Sequence, residues 1–340
     1  MDDNEQTPLV DVGIPTYRRP QYLAEAIESV LGQTLSRWRL TVSDDGDGDA
    51  LPIVTAFLHD PRVTYRRGGA SEGDRSGAAA NWSALVQDGS APYVALLHDD
   101  DLWAPEFLER RVAFFERHPE CGFVYGPQVD VDDDRTEIWR APRAFDEGVY
   151  GSAEFVRRFV REAAVRPSPP SLVVARAAYE SVGARFDPRF VVFDSEMWLR
   201  IAVRFPVGYL TDHDSCYRIH PTSLSDRSSW GDAWLAWQEH IEQLLDRELP
   251  AAAFTDSERR VRRASAHLTA ALDAVGEGRR RDALSRLRAA VGLERRALRD
   301  PRLVLAFAAL PFGRRGARLL HLIRRTVIRR GIRSSLALPH

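Results

Sequence analysis

Three consecutive aspartates, Asp99 to Asp101, directly follow a run of strand-forming apolar residues in the segment APYVALLHDDDLWAPEFLE, residues 91–109. Turn formation alone explains this block poorly, because neighbouring carboxylates repel one another unless a cation neutralises them. Hard oxygen ligands of this kind suit Mg²⁺ or Mn²⁺, usually as one or two carboxylates that act together with substrate phosphates. A metal ion held there would stabilise negative charge on a departing diphosphate. The block therefore predicts chemistry on a nucleotide diphosphate.

The first 130 residues alternate between strand-like and helix-like patterns, which predict the elements that position these acids. Strands are predicted at five short apolar runs, LVDVGI (9–14), WRLTVS (38–43), VTYR (63–66), YVALL (93–97) and GFVYG (122–126). Between most of them lie helical patterns, the first of which begins at Pro20 and ends at Gly32. Alternation of this kind predicts an α/β fold with a doubly wound, largely parallel sheet.

Polar segments follow three of the predicted strands, namely PTY (15–17), SDDGDGD (43–49) and HDDD (98–101). Ligands of open parallel sheets bind outside the carboxyl ends of the strands. We therefore expect these segments to meet at one site. Turn formation is an equally good explanation for DGDGD, because Asp and Gly are common in turns.

The charge of the 340 residues is unevenly distributed, although the net charge is only −2. Residues 256–340 contain 21 of the 47 basic residues but only 7 of the 49 acidic ones, so an acidic body precedes a basic tail. The two cysteines lack metal-ligand spacing and are expected to be reduced core thiols. No segment reaches the roughly 18–20 apolar residues that span a bilayer, and the acidic N-terminus lacks a signal pattern. The expected location is cytoplasmic.

Longer segments identify a family. The stretch VGIPTYRRPQYLAEAIESVLGQTLSRWRLTVSDDGDGD, residues 12–49, resembles the opening of the family 2 glycosyltransferases, inverting enzymes whose nucleotide-sugar domain has the GT-A fold. NWSALVQDGSAPYVALLHDDDLW and VGARFDPRFVVFDSEMWLRIA follow in the family's order, so the resemblance covers roughly residues 9–225. It implies a GT-A-like, doubly wound mixed sheet that is mainly parallel, followed by an α-helical C-terminal region.

The resemblance also implies a division of the chain. We expect a GT-A glycosyltransferase domain at residues 1–230, with a nucleotide-sugar half at about 1–130 and an acceptor half at about 131–230. A helical C-terminal region with a basic amphipathic tail is expected at residues 231–340.

Nucleotide contacts are carried over from the family position by position. Pro15, Thr16 and Tyr17 would line the nucleotide, with Tyr17 near the base. Asp45 matches the residue that contacts the base in UDP-sugar-dependent relatives, and Asp99 would face the ribose.

Three further positions are assigned to the donor on the same grounds. Arg75 and Asn81 lie on the loop and helix that face the nucleotide in this fold, and Arg218 would neutralise phosphate charge.

The metal ligands follow from the acidic block and a later histidine. Asp100 would be the direct ligand, and His220 stands where family members often have a histidine near the metal and diphosphate. Asp101 is a weaker candidate, because it can also shape the turn into the next helix. His98 stands where the family often has an aspartate, which leaves open which of the acids take part.

The general base is expected far along the sequence, across the sugar from the metal. Asp194 aligns with the acid that takes the proton of the acceptor hydroxyl in inverting enzymes, and Glu196 is the alternative base. Asp194 can also serve as a helix N-cap before SEMWLR, a role that is compatible with catalysis.

The implied function is metal-dependent transfer of one sugar from a nucleotide diphosphate sugar, with UDP favoured over dTDP or GDP, to a hydroxyl acceptor during assembly of cell-envelope polysaccharide or glycolipid. The cofactor would be Mn²⁺ or Mg²⁺. Transfer to a small-molecule natural product and non-catalytic nucleotide-sugar binding are the alternatives. A nucleotidyltransferase or a Rossmann dehydrogenase is disfavoured, because the glycine-rich phosphate motifs are missing. A processive synthase is disfavoured because QTLSRW, residues 33–38, has the wrong spacing for its motif.

The tail segment RRGARLLHLIRRTVIRRGIRSS, residues 314–335, places apolar residues at roughly helical spacing among paired arginines. A basic amphipathic helix suits an anionic membrane surface and would hold the protein at the inner face of the cell membrane, beside a lipid-linked acceptor. Packing on the protein's own acidic body is the alternative. Nucleic-acid binding is not expected, because no aromatic or base-reading pattern accompanies the arginines.

Overall fold

The computed structural model describes residues 7–46, 48–68, 75–162, 165–190, 192–220 and 231–309. The chain divides into two compact units. The first consists of residues 1–188 and 192–220, and the second of residues 189–191 and 221–340.

The first unit is built on an eight-stranded sheet. In spatial order its strands are β3 (Val63–Arg67), β2 (Trp38–Asp44), β1 (Val10–Thr16), β4 (Tyr93–Leu96), β10 (Leu172–Ala175), β6 (Phe123–Tyr125), β11 (Val207–Tyr209) and β9 (Gly148–Tyr150). β1 runs parallel to β2 and β4, β2 to β3, and β6 to β11. β10 is antiparallel to β4 and β6, and β9 is antiparallel to β11. The predicted mixed, mainly parallel sheet is confirmed.

Helices cover this sheet. Those of the first unit are α1 (Pro20–Leu31), α2 (Leu51–Thr55), α3 (Arg75–Gln87), α4 (Phe107–Arg117), α5 (Ser152–Arg161), α6 (Arg176–Ser181) and α7 (Phe193–Ala202). α1 begins at Pro20 and its C-cap is Gly32, as the sequence predicts. Its buried side chains recur at helical spacing and join the same core as β1, every residue of which is buried: Leu23, Ala26, Ile27 and Val30.

A second, smaller sheet was not predicted. In spatial order its strands are β5 (Leu102–Trp103), β12 (Ser215–Arg218), β7 (Val129–Val131) and β8 (Glu137–Arg140). β12 is antiparallel to β5 and parallel to β7, and β7 is antiparallel to β8. Strands of two to four residues are too short to show an alternating pattern in the sequence. Because β5 starts immediately after Asp101, this sheet begins at the acidic block.

The second unit is helical over its described residues, as predicted for the C-terminal region. Its helices are α8 (Gly231–Glu248), α9 (Asp256–Gly276), α10 (Arg280–Leu293) and α11 (Pro301–Ala309). Small side chains let α9, α10 and α11 approach closely, among them Ala264, Ala271, Ala274, Ala283, Ala290 and Ala306. None of the described helices combines the length and the apolar character needed to cross a membrane. The basic segment 314–335 lies outside the described residues.

Candidate active site

The carboxyl ends of three neighbouring strands, β2, β1 and β4, form one edge of the candidate site. The backbone N–H of Asp45, just past β2, donates to the carbonyl of Thr16, the last residue of β1, at 2.9 Å. The Thr16 side chain is hydrogen bonded to Asp99, which follows β4. The three polar segments therefore meet, as the sequence predicts from the parallel order of the strands.

The two acids at the end of β2 differ in their surroundings. Asp44 is fully buried and accepts hydrogen bonds from the Gly46 backbone N–H at 2.8 Å and from the Tyr65 hydroxyl at 2.9 Å. Turn formation in this segment is thus carried by Asp44. Asp45, the expected base contact, is the next residue and is also buried.

Asp100 lies at the centre of the acidic turn, residues 98–101. Its Oδ2 atom is 2.7 Å from Nη1 of Arg19 and 2.8 Å from Nε2 of His220. The pairing with His220 brings together two residues that the sequence assigned to one metal site. Arg19 was not predicted to contact the acids, although its place directly after PTYR, at the end of β1, is a signal that could have suggested it.

Asp101 fixes the shape of the turn. The side chain is fully buried; Oδ2 is 3.0 Å from Nδ1 of His98, and Oδ1 accepts a hydrogen bond from the backbone N–H of Arg218 at 2.9 Å. Both carboxylate oxygens therefore hold neighbouring segments in place.

Burial and neighbouring charges set the protonation of the four residues of the acidic turn, His98 to Asp101. Burial, reinforced by the charge of Asp100, raises the pKa of Asp99 to about 7, and burial raises the pKa of Asp101 to about 6. Burial acts in the same direction on Asp100, but the hydrogen bond to His220 and nearby positive charges hold its pKa below the ordinary value. Burial opposes the charged form of His98, yet hydrogen bonding to Asp101 and the surrounding acids raise its pKa to about 9. Asp100 is thus the acid whose ionised form is favoured most.

The turn provides a donor set for a divalent cation. One ligand atom each from His98, Asp100 and Asp101 lie within 4.8 Å of one another. Carboxylate oxygens suit Mg²⁺ and Mn²⁺, and an imidazole nitrogen in the same set fits a transition ion such as Mn²⁺. The residues therefore fit the expected cation. His98 was not proposed as a ligand from the sequence, and it would have to give up its proton to act as a donor.

Arg218 differs from the expected phosphate contact. Its buried guanidinium donates to the carbonyls of Asp100 at 2.9 Å and Asp133 at 2.8 Å, and to the Glu25 carboxylate at 2.7 Å. All three guanidinium nitrogens of Arg218 thus donate to protein groups, and the side chain stabilises the acidic turn. The sequence alone does not distinguish a buried arginine from one that faces a ligand, because burial is a property of the folded chain.

The short β5–β12 pairing explains how residues so distant in sequence reach the turn. Cys216 lies opposite Leu102, so the antiparallel register places Arg218 beside Asp100. The ring of Tyr22 then packs against His220, with 4.9 Å between the ring centroids.

Asp194 lies in the first turn of α7, next to the acidic turn. The rings of Phe193 and His98 both pack on Trp82, each with a centroid separation of 5.1 Å. Asp194 is partly buried, and this burial raises its pKa despite a hydrogen bond from the Ser195 backbone N–H. A carboxylate with a raised pKa beside a cation site has the properties of a general base.

Glu196, the alternative base, has a different environment. Its carboxylate is buried and lies 2.8 Å from Nε of Arg200, whose other nitrogens donate to the carbonyls of Val182 and Arg185. This pairing gives Glu196 a structural role between α7 and the preceding loop.

The other expected nucleotide contacts occupy the same edge of the sheet. Asn81 accepts a hydrogen bond from the Ser43 hydroxyl at 2.5 Å and donates to the Ser43 carbonyl at 3.0 Å, so its amide holds the end of β2. Pro15 is buried in β1, and the Tyr17 ring lies 5.2 Å from the guanidinium carbon of Arg18.

Arg75 is the first residue of α3, and its side chain lies outside the described part of the structure.

Comparison with known proteins points to one family. Residues 11–178 match the family model described as Glycosyl transferase family 2. One relative is the Escherichia coli protein WfgD, a UDP-Glc:alpha-D-GlcNAc-diphosphoundecaprenol beta-1,3-glucosyltransferase. It is 27% identical over 118 residues, which are 35% of this chain and 45% of WfgD. The match therefore spans less than half of that relative.

Two solved structures share the fold along most of the chain. TarS 1-349 from S. aureus, in complex with UDP-GlcNAc, has a TM-score of 0.62 at 13% identity and covers 93% of this chain and 91% of TarS 1-349. The second is the mannosyltransferase PcManGT from Pyrobaculum calidifontis, in complex with GDP-Man and Mn²⁺. It has a TM-score of 0.51 at 17% identity, and the match covers 98% of this chain and 85% of PcManGT. The resemblance to the family 2 glycosyltransferases is thereby confirmed over residues 11–178 of the chain.

Proposed function

We propose that this protein transfers one sugar from a nucleotide diphosphate sugar to a hydroxyl acceptor, with inversion at the anomeric carbon. The observation that carries the proposal is the position of the partly buried Asp194 beside the acidic turn, residues 98–101. The turn offers a divalent-cation site for the diphosphate. Asp194 offers a carboxylate that can accept a proton from the attacking hydroxyl.

The donor is expected to be a UDP-sugar. Tyr17 and the buried Asp45 would contact the base, and Asp99, hydrogen bonded to Thr16, would contact the ribose. TarS was solved with UDP-GlcNAc and WfgD is named for UDP-Glc, whereas PcManGT was solved with GDP-Man. These names support UDP more often than GDP.

The roles of the chain's own residues follow from this arrangement. Asp100, with His98 and Asp101, would hold Mn²⁺ or Mg²⁺, which when bound stabilises negative charge on the diphosphate as it leaves. Arg218 and His220 keep the Asp100 side of the turn in position. Asp194 removes the acceptor proton while the oxygen attacks the anomeric carbon from the face opposite the diphosphate.

The acceptor is expected to be a lipid-linked glycan at the inner face of the cell membrane. WfgD, a relative, is named for a diphosphoundecaprenol acceptor. The basic segment 314–335 would bring the enzyme to the anionic surface where such acceptors reside. Replacing its arginines with glutamine should reduce flotation of the full chain on anionic vesicles, and equal flotation of both proteins would contradict the membrane role.

A binding and product assay tests the transfer itself. The protein is titrated with UDP-, dTDP- and GDP-sugars with and without Mn²⁺, and the anomeric configuration of the product is read by NMR. Cation-dependent binding of a UDP-sugar and a product of inverted configuration are expected. Failure to bind any nucleotide sugar, or retention of configuration, would refute the proposal.

A further inference from the structure

Arg19 is a cation at the acidic turn that the proposed mechanism does not use. It lies between the end of β1 and Pro20, the first residue of α1. Its Nη1 atom is 2.7 Å from Oδ2 of Asp100 and 3.8 Å from Oδ1 of Asp99, and the side chain is only 16% exposed. The ion pair is thus largely shielded from solvent, where it is stronger than a surface pair.

The backbone before Arg19 has an unusual conformation. Arg18 has a φ of 52°, in the left-handed region that arginine seldom adopts. Residues held in such conformations cluster at ligand sites, where the surrounding structure maintains them. Arg19, the residue after this left-handed position, contacts Asp99 and Asp100 at the carboxyl end of β4.

Arg19 contacts the acids in a different way from Arg218. Arg218 donates through Nε, Nη1 and Nη2 to three separate protein groups, which fixes its position. Over the described residues, Arg19 makes its contacts through Nη1, and Nε and Nη2 have no hydrogen-bond partner there. A guanidinium held by one nitrogen can turn away at a lower cost than one held by three.

We propose that Arg19 and the divalent cation compete for Oδ2 of Asp100, and that the displaced guanidinium binds the donor's diphosphate. A cation on this oxygen would lie within a few ångströms of the guanidinium, and the two positive charges would repel each other. A diphosphate bound to the same cation offers oxygens that match the planar guanidinium fork. Arg19 is thus a diphosphate-binding residue, and this inference rests on the proposed nucleotide-sugar donor.

Binding measurements on the full-length protein test the inference without an activity assay. Mn²⁺ alone is titrated by electron paramagnetic resonance, and UDP and UMP are titrated by calorimetry at saturating Mn²⁺. The variants are Arg19→Gln, Arg19→Lys and the control Arg247→Gln, which removes one positive charge from a 69% exposed side chain on α8. Circular dichroism checks the fold of each variant.

Arg19→Gln should bind Mn²⁺ alone several-fold more tightly than the wild type, because the competing charge is gone. It should bind UDP about 10- to 100-fold more weakly, the range expected for a charge-assisted hydrogen bond, and UMP within about twofold. Arg19→Lys keeps the charge but not the fork, so its UDP affinity should lie between the two. Arg247→Gln should match the wild type.

Unchanged or weaker Mn²⁺ binding by Arg19→Gln would overturn the inference, and so would equal losses for UDP and UMP. Mn²⁺ binding by the variant alone supports it, and absence of Mn²⁺ binding by both proteins refutes it. Should Arg19→Gln fail to fold, UDP binding by Arg19→Lys equal to that of the wild type refutes the diphosphate contact. Wild-type protein that binds no UDP or UDP-sugar contradicts the proposed function, whereas binding that is insensitive to Arg19 contradicts this inference alone.

Discussion

The guanidinium of Arg218 donates a hydrogen bond to the main-chain carbonyl of Asp100 at 2.9 Å, although the two residues are 118 positions apart. The same side chain reaches Glu25 on α1 and the carbonyl of Asp133 after β7. One buried cation thus connects the acidic turn to two other segments. Its removal should affect the fold and the cation site together.

Arg218→Lys should lower stability by about 2–4 kcal/mol, because a single ammonium cannot satisfy three acceptors and leaves buried groups unpaired. Mn²⁺-dependent UDP binding should weaken as well. Thermal unfolding and calorimetry measure the two effects. Arg117→Lys, at a 59% exposed position on α4, is the matched control and should change neither.

Asp100→Asn should reduce Mn²⁺-dependent UDP binding by at least about 100-fold, because loss of a direct ligand exceeds the effect of losing an outer-shell partner. The fold should persist, as the amide has nearly the shape of the carboxylate. Calorimetry with and without Mn²⁺ measures the change, with Asp246→Asn on α8 as the exposed control. UDP binding with unaltered metal dependence in Asp100→Asn would remove Asp100 from the metal site.

Asp194→Asn should retain donor binding but lower kcat by about 10²–10⁴-fold, the usual contribution of general base catalysis. Glu196→Gln should lower stability by weakening the buried pair with Arg200, while kcat stays within a few-fold of the wild-type value. Steady-state kinetics on both variants decide between the two acids. The reverse pattern would assign the base to Glu196.

The raised pKa of Asp194 predicts opposite effects of pH on rate and stability. The base must be ionised, so kcat should fall as the pH is lowered through a value above that of an ordinary aspartate. Because the unfolded state gives up this proton more readily than the folded state, ionisation destabilises the fold as the pH rises. Asp194→Asn should therefore be more stable than the wild type at pH 8. Equal unfolding midpoints at that pH would contradict the raised pKa.

Asp11 lies at the end of β1 opposite the candidate site. A substitution there should therefore change stability without changing UDP binding. Its carboxylate accepts hydrogen bonds from Arg39 at 2.7 Å, Arg176 at 2.6 Å and the Ala91 backbone N–H at 2.9 Å. Asp11→Asn should cost about 3 kcal/mol, because it leaves the largely shielded charge of Arg176 uncompensated. UDP affinity should remain that of the wild type. A loss of affinity in folded protein would show that the two ends of the sheet are coupled.

The parts of the fold that depend on local patterns were predictable. Runs of apolar residues predict the strands from β1 to β4. Helical spacing of apolar residues, with Pro20 and Gly32 at the ends, predicts the helix α1. Parallel order then places Thr16, Asp45 and the acidic turn at one edge of the sheet.

The parts of the fold that depend on pairing between distant segments were not predictable from the sequence. β5 and β12 are too short for a periodic signal, and their pairing places the buried Arg218 beside Asp100, where its guanidinium holds protein groups. Arg18 and Arg19 look equivalent in the sequence. In the structure Arg18 has a left-handed backbone, and Arg19 contacts Asp100.

The distance along the chain between Asp100 and His220 has a consequence for synthesis. The two residues are 120 positions apart, so at roughly 5–20 residues per second the ribosome delivers the histidine on the order of ten seconds after the acidic turn. During that interval the ligands of the cation site are already present, but the turn lacks His220 and Arg218, the two side chains that keep it in position. Nucleotide binding should therefore begin only when residues beyond 220 have left the ribosome, which makes Mn²⁺-dependent UDP retention on stalled chains of increasing length a measure of when the first unit finishes folding.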